Sequence, residues 1–506
     1  MSPAPRSTPV AGPTLVDAVL AVVVGAAAFA LYATTRQWRI YGDGPMLLRS
    51  VTHEPDGDAT WIHAAYLPIA RWWNGALDWT TPAEALRFLS VTSGAVVVGG
   101  TFVLARAFGA GRVAALAAAA LFAVTPALWF YSAQIEVHAL HAAAVVAVAL
   151  VTWFAPWRRP ALALAIVAFA LPLLHLTHQS GATLHLAWIA LAFFAWRRVG
   201  GDAVGPRQLV LVVAPVMTAA LAVALLVSDA WQSDASFADL DGLGGFVSDS
   251  RIELTGRRLA GMWGWPIGWA WLALVVAPFA PRARREAGVV ALLAALPLLA
   301  FFTWLGVPER GAYALGFLPF ALAFAAVGVD ELARVRMGTR GRGALLVAAV
   351  LLVALQAHLG ATRNAEVDNG SWRARSEERA AFLRTLADGP LHVVSANRSF
   401  QLIETASGTI REVNLVPQLK RAANSGVPLP LVQQQIVLVL DGLGASSGQP
   451  VVLDLGHRQH LEHAPELVPL LEAIEEGVRA NYAIEEHADG ERLYWVLGPR
   501  SESASD

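Results

Sequence analysis

Apolar segments long enough to cross a lipid bilayer recur from Thr14 to about Gly360. The composition of the whole chain agrees with this pattern, because 56% of the 506 residues are hydrophobic and only 15% are charged. Soluble globular domains carry roughly 25% charged residues. The mean hydropathy is +0.50. These features predict an α-helical polytopic membrane protein.

The roughly 20-residue span criterion predicts about 11 transmembrane helices. They lie near residues 14–35, 87–108, 112–130, 138–155, 160–177, 179–196, 208–228, 262–280, 288–306, 311–329 and 343–359. The first of them lacks a convincing small-residue cleavage site, so we interpret it as a retained span rather than a removed signal peptide.

The charge of the connecting loops predicts the orientation, because short cytoplasmic loops collect Lys and Arg. With a cytoplasmic amino terminus, every inner loop is basic. The outer connections, residues 36–86, 131–137, 229–261 and 307–310, carry the acids and most of the loop tryptophans. The number of spans is then odd. We therefore expect a multi-pass protein of the cell (inner or plasma) membrane with an extracytoplasmic carboxy-terminal domain.

Two domains follow from the change in composition near Ala361. Residues 1–360 form the transmembrane domain, and residues 361–506 have the charge and the short apolar runs of a small α/β domain. The segments predicted as strands are Leu391–Ser395, Val451–Leu455 and Arg492–Leu497, and the segment predicted as a helix is Pro465–Ala480.

The absence of cysteine excludes disulfides and thiolate metal sites. The formal net charge is −2, and nothing in the charge pattern indicates a nucleic-acid partner.

The connection of residues 36–86 is unusually long, and loops of this length usually have a function. It contains Asp43 between two glycines, and His53 at the start of His-Glu-Pro-Asp-Gly. Its Trp-rich stretch from Trp61 to Trp73 favours an amphipathic helix along the membrane surface. The second long outer loop, residues 229–261, is acidic at first and contains Arg257 and Arg258 near its end.

Several ionisable residues fall at the outer ends of predicted spans or in outer loops. They are Asp43, Glu136, His138, His175, His178, Glu309 and Arg310. Ionisable groups at a membrane boundary are costly and are often retained for function. Carboxylates and imidazoles suit general base catalysis on a hydroxyl, and a guanidinium suits stabilisation of a phosphate leaving group.

Each of these residues also has a structural explanation. Asp43 beside glycines is typical of a turn, and Arg310 can anchor a span end. Glu136 and His138 can face water at the end of a span. His175 and His178, three residues apart, can share a helix face. Without further ligand spacing, such histidines favour polar packing over a metal site, so no metal is predicted.

The motifs resemble those of the GT-C glycosyltransferases, and more narrowly the bacterial protein O-mannosyltransferase-like membrane proteins. The resemblance rests on Asp43-Gly44-Pro45, His53-Glu54-Pro55, Arg87-Phe88-Leu89-Ser90, Trp129 with Glu136-Val137-His138, Leu174-His175-Leu176-Thr177-His178, Glu309-Arg310 with Tyr313 and Pro319, and the segment from Val393 to Asn414. Two positions depart from that family's pattern, since Met46 replaces a glutamate and His138 replaces a tyrosine.

The resemblance implies a GT-C architecture and transfer of a sugar, with mannose suggested by family, from a polyprenyl-phosphate donor. The acceptor would be an extracytoplasmic hydroxyl on a protein, a glycolipid or a polysaccharide. Asp43 would be the general base of an inverting reaction, and Glu136 the second catalytic residue, which with His138 would orient the acceptor or sugar. Arg310, with Arg257 or Arg258, would pair with the lipid phosphate. The implied substrate-binding residues are His53, His138, His175, His178, Arg257, Arg258, Glu309, Arg310 and Tyr313.

Two other classes of function remain open. Many spans with ionisable residues also suit a transporter or flippase, although carriers usually place such residues near the membrane midplane between matching halves. A catalytically silent envelope-assembly protein is the third reading. Replacing Asp43 with Asn separates them, because only a transferase should lose turnover while remaining folded.

Overall fold

The computed structural model describes residues 13–38, 40, 44–52, 64–205, 207–218, 285–305, 312–336, 339–365, 369–395, 410–415, 419, 427–455, 468–490 and 492–500. The chain divides into two compact units. The first comprises Met1–Gln37 and Tyr41–Val367, and the second comprises Trp38–Ile40 and Asp368–Asp506.

The described part of the first unit is built from helices. They are α1 (Leu15–Thr34), α2 (Gly44–Thr52), α3 (Tyr66–Ala76), α4 (Pro82–Ala107), α5 (Arg112–Ala123), α6 (Pro126–Ser132), α7 (Val137–Phe154), α8 (Pro160–Thr177), α9 (His185–Gly200), α10 (Arg207–Thr218), α11 (Arg285–Leu305), α12 (Leu318–Arg336) and α13 (Thr339–Ala365). Two short 3₁₀ helices, Gln179–Leu184 and Ala312–Gly316, precede α9 and α12.

Within the described ranges, five helices are long and apolar enough to cross a membrane, or six if one bent pair counts as a single span. The five are Leu15–Thr34, Pro82–Ala107, Val137–Phe154, Pro160–Thr177 and Gly343–Thr362. The helical, polytopic membrane class predicted from sequence is confirmed. The number eleven stays a prediction, because the span at residues 262–280 and part of that at 208–228 lie outside the described residues.

The predicted span at residues 112–130 is a broken helix. Helices α5 and α6 meet at 62°, and Thr125 between them is extended, with φ −64° and ψ 127°. The residue before a proline is sterically disfavoured in the helical region, so Pro126 ends α5 and begins α6 at its first turn. Helix α6 ends at Ser132, four residues before Glu136, which caps the next helix.

Helices α1 and α4 cross with almost no side-chain volume between them. A Cβ atom placed on Gly99 would lie 2.9 Å from the carbonyl oxygen of Ala21, and one on Gly25 would lie 3.2 Å from that of Ala95. Small residues allow such close approach of two backbones in membrane helices.

A buried ion pair joins the amino-terminal end of α1 to its neighbours. Asp17 is fully buried, and its Oδ1 accepts from Arg106 Nε at 3.0 Å and from Arg112 Nε at 2.9 Å. Asp17 also completes a capping box with Thr14, which satisfies free amides of the first turn. The carboxylate is therefore held by both charge and hydrogen bonds.

In the described part of the second unit, five strands form one sheet with the order β2-β1-β3-β5-β4. The strands are β1 (Leu391–Ser395), β2 (Ile410–Asn414), β3 (Val451–Asp454), β4 (Tyr482–Asp489) and β5 (Arg492–Pro499). Strand β1 pairs in parallel with β2 and β3, whereas β5 is antiparallel to β3 and β4. Among the same described residues, the α-helices are α14 (Asn369–Arg384), α15 (Leu429–Gly442) and α16 (Val468–Asn481).

These elements confirm the predicted small α/β fold at the carboxy-terminal end. The three predicted strands are present as β1, β3 and β5, and the predicted helix is α16. Strands β2 and β4 and helices α14 and α15 were not predicted. The sheet is tied to α14 by an ion pair between the buried side chains of Arg379 and Asp454.

Candidate active site

Three histidines and two tyrosines gather where α6, α7 and α8 end or begin, and we call them the histidine cluster: Tyr131, His138, His141, His178 and Tyr313. The ring centroid of His138 lies 4.9 Å from that of Tyr131, 5.1 Å from that of His178 and 5.3 Å from that of Tyr313. His178 lies 5.3 Å from both His141 and Tyr313. All three histidines are buried.

Local chain geometry brings these rings together. Tyr131 is in the last turn of α6, His138 is in the first turn of α7, and Tyr313 lies in the 3₁₀ helix before α12. Helix α8 ends at Thr177, and His178 takes the extended conformation with φ −164°. The cluster therefore lies at one common end of these helices.

The end of α8 decides one structural explanation. The spacing of three residues allows His175 and His178 to share a helix face, but His178 lies beyond the helix. His175 instead stacks on His185, with ring centroids 4.6 Å apart and the two Nε2 atoms 2.9 Å apart. Of the two, His178 is the one whose ring contacts the cluster.

Hydrogen bonds connect two histidines of the cluster, His141 and His178, through Ser180. Ser180 Oγ lies 2.8 Å from His178 Nδ1 and 3.3 Å from His141 Nε2. His141 Nδ1 lies 3.0 Å from Thr177 Oγ1. The imidazoles of His141 and His178 thus belong to one hydrogen-bonded network.

Glu136 is buried two residues before His138, immediately before α7 begins. Its carbonyl oxygen accepts from Ser90 Oγ of α4 at 3.4 Å. Ionised carboxylates are rarely buried so completely without a role or a charged partner. The position suits a residue that orients a polar substrate.

Helix α3 of the long loop brings Tyr66 to Glu136. Tyr66 is fully buried, and burial, followed by the negative charge of Glu136, raises the pKa of its phenol. Its Oη has no hydrogen-bond partner among the described residues. The helix also confirms that the Trp-rich stretch is partly helical, with Trp72 exposed and Leu67 buried.

Six sequence-predicted site residues lie outside the described part of the chain: Asp43, His53, Arg257, Arg258, Glu309 and Arg310. Asp43 directly precedes α2, and Arg310 precedes Tyr313 of the cluster by three residues. Of the remaining five, the cluster brings together His138, His178 and Tyr313, and Glu136 adjoins it in sequence.

Sequence reasoning missed Tyr66, His141 and Ser180. His141 follows His138 by three residues within α7, and that spacing is a signal that both imidazoles lie on neighbouring positions of one helix. Tyr66 and Ser180 carry no comparable signal, because their places depend on how α3 and the 3₁₀ helix fold back.

Among the residues that the structure describes, no group of three or more His, Asp or Glu side chains is arranged to hold a metal ion. Asp43 and Glu309 are not in that set, so the sequence-based expectation of no metal stays a prediction.

No protein-family model matches this chain, and no curated protein sequence matches it significantly. In structure it is similar to ArnT from Cupriavidus metallidurans bound to undecaprenyl phosphate, with 15% identity, 95% of this chain and 99% of that chain covered, and a TM-score of 0.54. The apo state of the same protein gives the same identity and coverage with a TM-score of 0.57.

The archaeal oligosaccharyltransferase AglB from Archaeoglobus fulgidus, in complex with an inhibitory peptide and a dolichol-phosphate, is also similar. It has 12% identity, 95% of this chain and 74% of that chain are covered, and the TM-score is 0.50. ArnT and AglB are both membrane proteins of the GT-C superfamily. The chain therefore has the GT-C fold, as its motifs led us to expect.

Proposed function

We propose that this GT-C-fold protein is a membrane glycosyltransferase that uses a polyprenyl-phosphate-linked sugar as donor. The acceptor is a hydroxyl on the extracytoplasmic side of the membrane, carried by a protein, a glycolipid or a polysaccharide. The reaction inverts the anomeric carbon. Mannose is the sugar that the sequence resemblance favours.

The observation that carries the proposal is the buried polar cluster of His138, His178 and Tyr313 beside Glu136. It lies at one end of apolar helices, where a lipid lying in the bilayer presents its headgroup. The similar ArnT and AglB structures hold undecaprenyl phosphate and dolichol-phosphate. A polyprenyl phosphate is thus the class of ligand that this fold accommodates in those proteins.

Each step of transfer has a candidate residue in this chain. Asp43 removes the proton of the acceptor hydroxyl as it attacks the anomeric carbon, while Glu136 and His138 orient the sugar or the acceptor. Arg310, close in sequence to Tyr313, pairs with the phosphate, which a planar guanidinium binds through two hydrogen bonds. Arg257 and Arg258 are alternatives for that contact.

The test is sugar transfer by the full-length protein reconstituted in lipid vesicles. Radiolabelled polyprenyl-phosphate sugars, including the mannose form, are supplied with a crude envelope extract as acceptor. Wild type should transfer label, and Asp43→Asn should lose it while remaining folded. Asp56→Asn, an acid of the same loop outside the proposed machinery, serves as the matched control and should retain transfer.

Other outcomes would favour the alternatives. Equal transfer by wild type and Asp43→Asn would remove Asp43 as the base. No transfer by either protein, with the full donor set supplied, would favour the transport or envelope-assembly readings.

A further inference from the structure

In the polar network that includes His178, the contacts determine which group donates and which accepts in each hydrogen bond. Four buried side chains form it in the order Thr177, His141, Ser180 and His178. Each can donate or accept, so the position of every proton depends on its neighbours. The two ends of the network settle those positions.

At one end, His178 must accept. The backbone N–H of Ser180 donates to His178 Nδ1 at 3.1 Å, so Nδ1 carries a lone pair and a neutral His178 holds its proton on Nε2. Ser180 Oγ, 2.8 Å from the same nitrogen, can only donate to it.

At the other end, Thr177 accepts. Its one hydroxyl hydrogen is directed at the carbonyl oxygens of Leu173 and Leu174, which lie 2.9 and 3.0 Å from Oγ1. His141 Nδ1–H therefore donates to Thr177 Oγ1. Since the Ser180 hydrogen is used on His178, the Ser180 oxygen accepts from His141 Nε2–H as well.

With the Thr177 hydrogen on those carbonyl oxygens, both ring nitrogens of His141 carry protons and His141 is an imidazolium. A neutral His141 keeps both bonds only if the Thr177 hydrogen turns from the carbonyl oxygens to Nδ1. We propose that His141 stores a proton and that Ser180 relays it through His178 to the phosphate of the departing polyprenyl carrier. His141 and Ser180 are positioning residues, because only His178 would touch the substrate.

This inference rests on the proposed function and completes its proton balance. As the acceptor oxygen bonds to the anomeric carbon, the bond from that carbon to the phosphate oxygen breaks, and the acceptor proton goes to Asp43. His178 Nε2–H passes to the leaving phosphate, Ser180 Oγ–H passes to His178 Nδ1, and His141 Nε2–H passes to Ser180. His141 ends neutral, and the phosphomonoester, whose second pKa is about 6, leaves with one negative charge rather than two.

The surroundings of the relay contain other titratable groups. The rings of His138 and Tyr313 pack on His178, and Tyr131 packs on His138. A pH profile alone would mix these groups with His141. The test therefore measures protonation of His141 directly and transfer separately.

The first measurement needs no donor. Solid-state ¹⁵N NMR of the full-length protein in lipid, with His141 assigned by the signal lost in His141→Gln, should show two protonated ring nitrogens at neutral pH. One unprotonated nitrogen on His141 at neutral pH would overturn the relay. This result stands whether or not a donor is found, so its failure differs from failure of the proposed function.

The second measurement is kinetic. Ser180→Ala should lower kcat by about 100-fold, as for loss of general acid catalysis, with little change in KM. It should also reduce the solvent deuterium isotope effect on kcat to the part that comes from proton transfer to Asp43. Ser180→Thr keeps the hydroxyl and should restore both. His358→Gln makes the same chemical change as His141→Gln at an exposed site and should leave kcat unchanged. A solvent isotope effect in Ser180→Ala as large as that of the wild type would contradict the relay.

Discussion

The backbone amide of Ala65 donates to the carbonyl oxygen of Leu176 at 2.8 Å. This bond fastens helix α3 of the long loop to the last turn of α8, two residues before His178. Tyr66, the next residue after Ala65, is thereby buried beside Glu136. The long loop thus supplies part of the wall of the candidate site.

Replacing Tyr66 with Phe should weaken transfer without weakening the fold. The Tyr66 hydroxyl has no partner among the described residues, so its removal should change the free energy of unfolding by less than about 1 kcal/mol. If that hydroxyl contacts substrate, its loss should instead raise KM or lower kcat. Thermal unfolding in detergent and transfer kinetics check the two effects.

Tyr32→Phe is the matched control for that variant. Tyr32 is also fully buried, but its Oη donates to the carbonyl oxygen of Ala123 at 2.8 Å. Its loss should destabilise the protein by about 1 to 3 kcal/mol. A Tyr66→Phe variant that unfolds as easily as Tyr32→Phe, with normal kinetics, would assign Tyr66 to structure alone.

Gly99→Ala should separate α1 from α4. The new Cβ would meet the Ala21 carbonyl oxygen at 2.9 Å, and such overpacking costs about 1 to 3 kcal/mol. Gly75→Ala has open space around it and should be neutral or slightly stabilising, because Ala is the better helix former. We expect the Tm of Gly99→Ala to fall below that of the wild type and the Tm of Gly75→Ala not to fall. Equal Tm values for the two variants would contradict the close crossing of α1 and α4.

The sequence predicted most of the fold because the bilayer imposes length and polarity on every span. The break between α5 and α6 was also present in the sequence as Pro126, but a hydropathy window averages over one proline. The strands of the second unit were found where apolar runs are short, as at Leu391–Ser395. Strand β4 was missed because most of its side chains are only partly buried or exposed.

The candidate site was less predictable. Glu136 and His138 stood out because ionisable residues at span ends are unusual. His141 did not, although it lies three residues after His138, because nothing in the sequence shows that Ser180 folds back to meet it. The pairing of His175 with His185 likewise depends on the turn at Gly181, where a Cβ would lie 2.6 Å from the Leu174 carbonyl oxygen.

Arg379→Met should strongly destabilise the second unit. Asp454 is fully buried, and removing its cation leaves a buried charge at a cost of about 3 to 5 kcal/mol. The double variant Arg379→Met with Asp454→Leu should recover much of that loss, since an apolar pair needs no desolvation. Hydrogen exchange at strands β1 and β3 in the full-length protein measures the stability of both variants. A double variant no more stable than Arg379→Met would contradict this explanation.

The second unit should also lose stability at alkaline pH. Burial raises the pKa of Tyr494 above its usual value of 10.0, so the folded state holds this proton more tightly than the unfolded state. The contribution is fully present below pH 10 and is lost as pH rises toward the pKa of the folded form. In Tyr494→Phe, the stability measured by hydrogen exchange of β5 should fall less steeply between pH 9 and about 11. An unchanged slope would show that Tyr494 is not the group responsible.

Single-turnover transfer from a radiolabelled polyprenyl-phosphate sugar, by wild type and by Glu136→Gln, tests whether the buried residues around Glu136 form the active site. Asp78→Asn, an exposed acid of the same unit, controls for loss of charge. We expect transfer by wild type and Asp78→Asn, and a loss of at least about 100-fold in Glu136→Gln, with Tm preserved. Transfer by a folded Glu136→Gln at the wild-type rate would contradict the assignment of the active site to Glu136 and the histidine cluster.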